Sequence, residues 1–166
     1  MSITICLCVI LLLVVFDQIS KMLLMTKSIK IIEGLLYFVP RYNDGAAFSS
    51  LSGARVFFII FTIIALLFMG YVLFFKKWSK HPLFMLALSV MIGGVVGNFI
   101  DRIVFGVVRD FIYIPPFGFV CNIADIAITV ACVLFFIYIF FIRDKEEKRE
   151  LQVKNDKDLK DQEKEE

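Results

Sequence analysis

The chain has 166 residues, 60% of them hydrophobic and 19 of them Phe, with a mean hydropathy of +0.84. That exceeds what a soluble domain of this size can bury, so the bilayer must act as solvent for much of it. The formal net charge of +2 hides an uneven distribution: 8 of the 18 basic and 10 of the 16 acidic residues lie in 143–166, a water-facing tail distinct from the body 1–142.

Crossing a hydrocarbon core of roughly 30 Å takes about 20 apolar residues, and four segments qualify. The first, 3–25, has no basic leader and no small-residue cleavage site, and it carries Asp17-Gln18, so it reads as a retained helix rather than a removed signal. In the loop 26–54 that follows, the short apolar runs 29–32 and 35–39 are broken by Glu33-Gly34 and Pro40, which predicts a small β element on the membrane surface. Asn43 precedes Asp44-Gly45, a turn signal that would hold its amide on a short loop.

The second span is 56–75 and the third 83–104, joined by a stretch bearing Lys76, Lys77, Lys80 and His81. Those cations, with Arg143, Lys145, Lys148 and Arg149 after the fourth span, place both termini in the cytoplasm by the positive-inside rule. Lys27, Lys30, Arg41 and Arg55 in the opposite loop run against it. In the third span Gly93 and Gly97 form a small-xxx-small pair that admits another helix. Gly94, Asn98 and Asp101 share a face, with Arg102 one turn after Asn98. An Asp101–Arg102 pair that caps the bundle and a role in a site both fit this pattern.

Asp110 follows in Val107-Val108-Arg109-Asp110-Phe111-Ile112, and Pro115-Pro116 and Gly118 then turn the chain back to a fourth span at 119–142, where Asn122 and Asp125 lie one turn apart. Acids in or beside a bilayer are costly and read as functional. The topology gathers Asp17, Asn43, Asp101, Arg102, Asp110, Asn122 and Asp125 at or beyond the outward helix ends. Two carboxylates brought close in a poorly solvated place share a proton, and such a pair can activate water and polarise a carbonyl. On spacing alone, an ion pair or a proton relay fits as well. The tail, with Asp144/Lys148, Glu150/Lys154 and Asp156/Lys160 at i,i+4, suits partial helix or disorder.

Five blocks taken in order resemble the lipoprotein signal peptidases of bacteria, also called signal peptidase II. They are Asp17-Gln18-Ile19-Ser20-Lys21, Arg41-Tyr42-Asn43-Asp44-Gly45-Ala46-Ala47-Phe48, Gly97-Asn98-Phe99-Ile100-Asp101-Arg102, Val108-Arg109-Asp110-Phe111-Ile112, and Asn122-Ile123-Ala124-Asp125. The resemblance implies an all-α membrane protein of four helices with a small outer β element, acting as an aspartic endopeptidase at the outer face of the cell membrane. It implies cleavage of diacylglyceryl-modified prolipoproteins just before the lipidated cysteine. By position, Asp110 and Asp125 match the catalytic pair. Asn43 and Arg102 match residues that contact substrate backbone and antibiotics such as globomycin. Asp17, Lys21, Gly45, Asn98, Asp101 and Asn122 match the surrounding shell. Membrane lipids and prolipoproteins are the expected partners of a monomer, without cofactor, metal or nucleic acid.

Three positions depart from the family pattern: Arg109 and Cys121 stand where apolar residues are usual, and Ile126 where Ser is common. Arg109 is expected to reach lipid phosphate or the outer part of the substrate, and Cys121 to face outward. Cys6, Cys8, Cys121 and Cys132 lack metal-ligand spacing and read as free thiols. His81 is the only histidine and lies in the expected cytoplasmic loop, so neither a His-rich zinc site nor a Ser-His triad is available. Phe57-Phe58 and Phe135-Phe136 read as lipid-facing surface. A proton-coupled transporter would place its acids near the midplane along a path, and a scaffold would tolerate Asp→Asn throughout.

Overall fold

The computed structural model describes residues 1–44, 55–75, 81–145, 148 and 151–152. Gly45, the lysines at 76, 77 and 80, and most of the tail lie outside them, so the expectations placed on those residues are not addressed; 143–145, 148 and 151–152 are helical.

Among the described residues, four helices are long and apolar enough to cross a membrane: α1 (Ile3–Leu24), α2 (Arg55–Phe75), α3 (Pro82–Val104) and α4 (Ile123–Ile137), the last continuing through a π turn at Tyr138–Ile142. Side chains such as Leu11, Leu12, Phe61, Leu67 and Phe140 are more than three-fifths exposed. In water that would be an aggregating surface; in a bilayer it is the lipid face.

The central helix is α3, which packs against all three others. Its glycines explain why. A Cβ on Gly93 would sit 3.0 Å from Leu13 Cβ, one on Gly97 2.7 Å from Asp17 Oδ2, and one on Gly94 2.7 Å from the carbonyl oxygen of Ala124. Bare backbone therefore lets α1 and α4 approach α3. Gly93 and Gly97 serve α1, as a small-xxx-small pair should. Cys6, Val72, Leu73, Leu88 and Ile92 fill the core farther from the sheet, with Phe135 packed edge-on against Phe84 at 5.5 Å.

Neighbours in sequence on a helix point about 100° apart, and this corrects the reading of both Phe pairs as wholly lipid-facing. Phe57 and Phe136 are exposed, but Phe135 lies in the core contact just described and Phe58 lies under the Arg102 guanidinium at 5.6 Å.

The β element is larger than expected. β1 (Ile29–Ile32) and β2 (Leu36–Asn43) form the hairpin read from the first outer loop, turning through Gly34 at φ 75°. Pro40 lies within β2, where the register with the next strand shifts between Phe38 and Arg41, the irregularity that tolerates a residue without an N–H. The second outer loop then adds β3 (Val108–Ile114) and β4 (Phe119–Cys121), giving one antiparallel sheet in the order β1-β2-β3-β4. Pro115–Phe117 form a single 3-10 turn that Gly118 closes at φ 67°. The fourth span therefore starts at Ile123 rather than at 119, because 119–121 pair with β3 and Asn122 caps the helix.

Candidate active site

Asp110 sits mid-strand on β3, opposite Arg41 of β2, and Asp125 is the third residue of α4. The α4 start is a capping box: the Asn122 side chain accepts from Asp125 N at 3.0 Å while the Asp125 carboxylate accepts from Asn122 N at 3.2 Å. Since the Asn122 carbonyl is committed to a backbone donor, its amide nitrogen must face the other way. It donates to Asp110 Oδ1 at 2.6 Å and to Asn98 Oδ1 at 3.1 Å. Asn98 in turn donates to Asp125 Oδ1 at 2.7 Å, and Asn43 donates to Asp110 Oδ2 at 3.0 Å. The two acids expected to meet are thus brought into one cluster, joined by amides. Asn43 is held there by strand pairing with Val108 rather than by a loop.

Asp110 is only 2% exposed. Burial pushes its pKa up to about 6; the Asn43 hydrogen bond opposes that shift, and the nearby Asp125 charge adds to it.

Behind Asn98 lies a buried charged group. Lys21, with no exposed surface, contacts Asp17 Oδ2 at 2.8 Å, Asp101 Oδ2 at 3.2 Å and Asn98 Oδ1 at 3.0 Å. Asp17 also accepts from Ala124 N at 2.9 Å, tying α1 to the first turn of α4. It lies about two helical turns inside the end of α1, not at or beyond it as expected. Asp101 takes Arg109 at 2.8 Å through its guanidinium and at 2.9 Å through its backbone N–H.

One of the two alternatives left open for Asp101 and Arg102, their pairing, falls here, as does the expectation for Arg109. Asp101 pairs with Lys21 and Arg109, leaving Arg102 to donate to Asn98 O at 3.4 Å and stack on Phe58. Arg109 does not reach outward to lipid or substrate. It turns inward to Asp101 and to Gln18 Oε1 at 2.8 Å, with Phe105 stacked on it at 4.1 Å. Successive strand residues point to opposite faces, so Arg109 anchors the strand while Asp110 presents its carboxylate to the amides.

Gln18 and Arg55 are contributors that the sequence reading left out of the site. Gln18 donates to Asp17, Gly97 O and Asp101, and its position beside Asp17 was the available signal. Arg55 donates to the carbonyls of Arg102 and Ile103 at the C-terminal end of α3. A cation there satisfies carbonyls without an intrahelical partner, which accounts for one of the positive charges in the outer loops.

Asp125 opens onto two cavities. One of about 260 Å³ is lined by Phe61, Asn98, Arg102 and Ile128; the other, about 410 Å³ and largely apolar, is lined by Ile112, Phe119, Cys121 and Ile126. Cys121 is therefore half-buried beside the acid rather than facing outward, and burial with the two nearby carboxylates lifts its thiol pKa to about 11. Among the described residues no group of three His, Cys, Asp or Glu is placed to hold a metal ion. The arrangement offers two carboxyl groups, a cation beside one of them, a small cavity of mixed polarity and a larger, largely apolar one.

Helices arranged in this way under such a sheet are also found in solved bacterial membrane enzymes. Two solved structures, each of a bacterial membrane enzyme determined by the in meso method, superpose with TM-scores of 0.74 and 0.76. They are 34% and 33% identical in sequence, covering 87% and 84% of this chain and 92% and 94% of theirs. The chain belongs to the signal peptidase II family: the family described as signal peptidase (SPase) II matches residues 9–141. Lipoprotein signal peptidases of Staphylococcus aureus strains JH9 and Newman are 40% identical over 150 residues, 85% of this chain and 90% of theirs. The protein is a membrane protease of lipoprotein processing, as the five sequence blocks implied.

Proposed function

We propose that this chain is an aspartic endopeptidase that cuts bacterial prolipoproteins immediately before the diacylglyceryl-modified cysteine, using Asp110 and Asp125. The observation that carries the reading is the Asn122 side chain, which caps the helix bearing Asp125 and donates to Asp110 at 2.6 Å, so one residue fixes both acids. In the proposed cycle the pair shares one proton, held on Asp110, whose pKa burial has raised. Asp125 takes a proton from water as its oxygen attacks the scissile carbonyl carbon, while Asp110 gives its proton to the carbonyl oxygen. The tetrahedral diol collapses as Asp125 returns its proton to the leaving nitrogen and Asp110 recovers its own. Arg102 and Asn43 bind substrate backbone, Arg102 keeping its charge throughout.

The sheet, the C-terminal ends of α1 and α3 and the N-terminal end of α4 lie together, opposite His81 and the basic residues after α4. With both termini cytoplasmic, the site meets the lipid-modified substrate at the outer membrane surface. The enzyme acts as a monomer among membrane lipids, needs no metal or cofactor, and is inhibited by globomycin.

Purified protein in detergent is offered one prolipoprotein with and without the diacylglyceryl group, and the products are read by mass spectrometry. Release of a mature chain beginning at the lipidated cysteine, blocked by globomycin and absent for the unmodified precursor, supports the reading. Equal cleavage of both precursors, or a cut elsewhere, contradicts it.

A further inference from the structure

We infer that Lys21 is a positioning residue for Asp125, acting through the side chain of Asn98. The inference rests on Asp110 and Asp125 being the reacting pair. Asn98 can direct its amide either way unless its neighbours forbid one orientation, and here they do. Its oxygen faces Lys21 Nζ at 3.0 Å and Asn122 Nδ2 at 3.1 Å. The ammonium has only donors, and the Asn122 nitrogen is fixed as a donor because the Asn122 oxygen accepts from Asp125 N. Asn98 must therefore turn its own NH2 to Asp125 Oδ1 at 2.7 Å.

The lysine is itself immobile. Its three N–H donors are taken by Asp17, Asp101 and Asn98, and its side chain has no exposed surface. A charge-assisted bond to the Asn98 oxygen is stronger than a neutral one, and it polarises the amide in the sense that strengthens the bond to Asp125. A buried lysine on α1 thereby orients an acid on α4 that it does not touch.

The competing explanation is that Lys21 only balances Asp17 and Asp101. The charged group holds two carboxylates, Asp17 and Asp101, and two cations, Lys21 and Arg109. Lys21→Met alone leaves an excess buried carboxylate and is expected to fold poorly. Asp17→Asn/Lys21→Met keeps the balance and still deletes the contact to Asn98, as does Asp101→Asn/Lys21→Met. These pairs are measured against Asp17→Asn and Asp101→Asn alone, with Asn98→Ala and the triple variant Asp17→Asn/Lys21→Met/Asn98→Ala. Thermal unfolding and the kcat and KM for diacylglyceryl-modified prolipoprotein are read for each.

The inference predicts folded charge-balanced variants with kcat lowered about 100-fold, the scale of a misplaced reacting group, and KM within about twofold. Asn98→Ala should lose a similar factor, and the triple variant no more than Asn98→Ala, since both changes break one connection. Parental kcat in a charge-balanced variant overturns the inference, as do losses that multiply in the triple variant. Failure of both charge-balanced pairs to fold also overturns it, because Lys21 would then serve the fold rather than the acid. Asp125→Asn in the same assay separates the two layers. A folded, active Asp125→Asn removes the reading beneath; an inactive one beside a parental charge-balanced variant removes only the role of Lys21.

Discussion

Asn122 donates to Asp110 across 2.6 Å from the position that caps the helix carrying Asp125. Capping and bridging can be separated by substitution. Ser caps a helix about as well as Asn, but its side chain is too short to reach Asp110. Asn122→Ser should keep the melting temperature within a few degrees and lower kcat about 100-fold. Asn122→Ala should lose a similar factor in kcat and about 1 kcal/mol of stability as well. Parental turnover in Asn122→Ser would separate the bridge from catalysis.

Arg109 supports structure in this account. It is 11% exposed and its guanidinium bonds Asp101 and Gln18, so Arg109→Val leaves a buried carboxylate short of one cation. Removing one partner of a buried pair costs about 3 kcal/mol. Thermal unfolding in detergent should show that loss, with KM unchanged in the folded fraction at low temperature. A raised KM with undiminished stability would restore the outward-facing role expected from sequence.

Close helix approach makes two glycines unequal. A methyl at Gly94 would meet the Ala124 carbonyl oxygen at 2.7 Å, while one at Gly70 on α2 meets nothing within 4 Å. Gly94→Ala should cost about 1–3 kcal/mol and reduce cleavage by displacing the start of α4. Gly70→Ala should be neutral or stabilising by up to about 1 kcal/mol, with activity unchanged. Equal melting temperatures for the two variants would contradict the packing described.

The raised pKa of Asp110 has a signed consequence for stability. With a folded value of about 6 and an unfolded value near 4, the native state holds more protons between those pH values, so stability falls as pH rises from about 4 to 6 and levels off above. The stability lost across that range is about 3 kcal/mol. In Asp110→Asn that loss should vanish. Melting curves of both proteins from pH 4 to 8 give the difference, and parallel pH profiles would contradict it.

The spans, the clustered acids and the first hairpin were legible in the sequence because hydropathy, costly charges and turn residues each leave a local signal. Asp110 and Asp125 stand out as costly charges, Asn98 and Asn122 only by helical spacing to an acid and by the family resemblance, and the structure gathers all four. β3 and β4 were not legible: β3 carries the charged Arg109-Asp110 pair, β4 is three residues long, and only the pairing of β3 with β2 and of β4 with β3 distinguishes them from a loop returning to the membrane. Arg109 was misread for a related reason. Whether a charge beside a membrane faces lipid or interior depends on partners far away in the chain, here Gln18 on α1. Arg55 runs against the charge topology in the sequence because its partners, the α3 carbonyls it caps, lie 47 and 48 residues away.

The catalytic roles of Asp110 and Asp125 are tested by cleavage of diacylglyceryl-modified prolipoprotein by purified Asp110→Asn and Asp125→Asn, each first shown to unfold as cooperatively as the parent. Both variants are expected to lose cleavage while the parent cuts. A folded variant of either acid that cuts at the parental rate would contradict those roles.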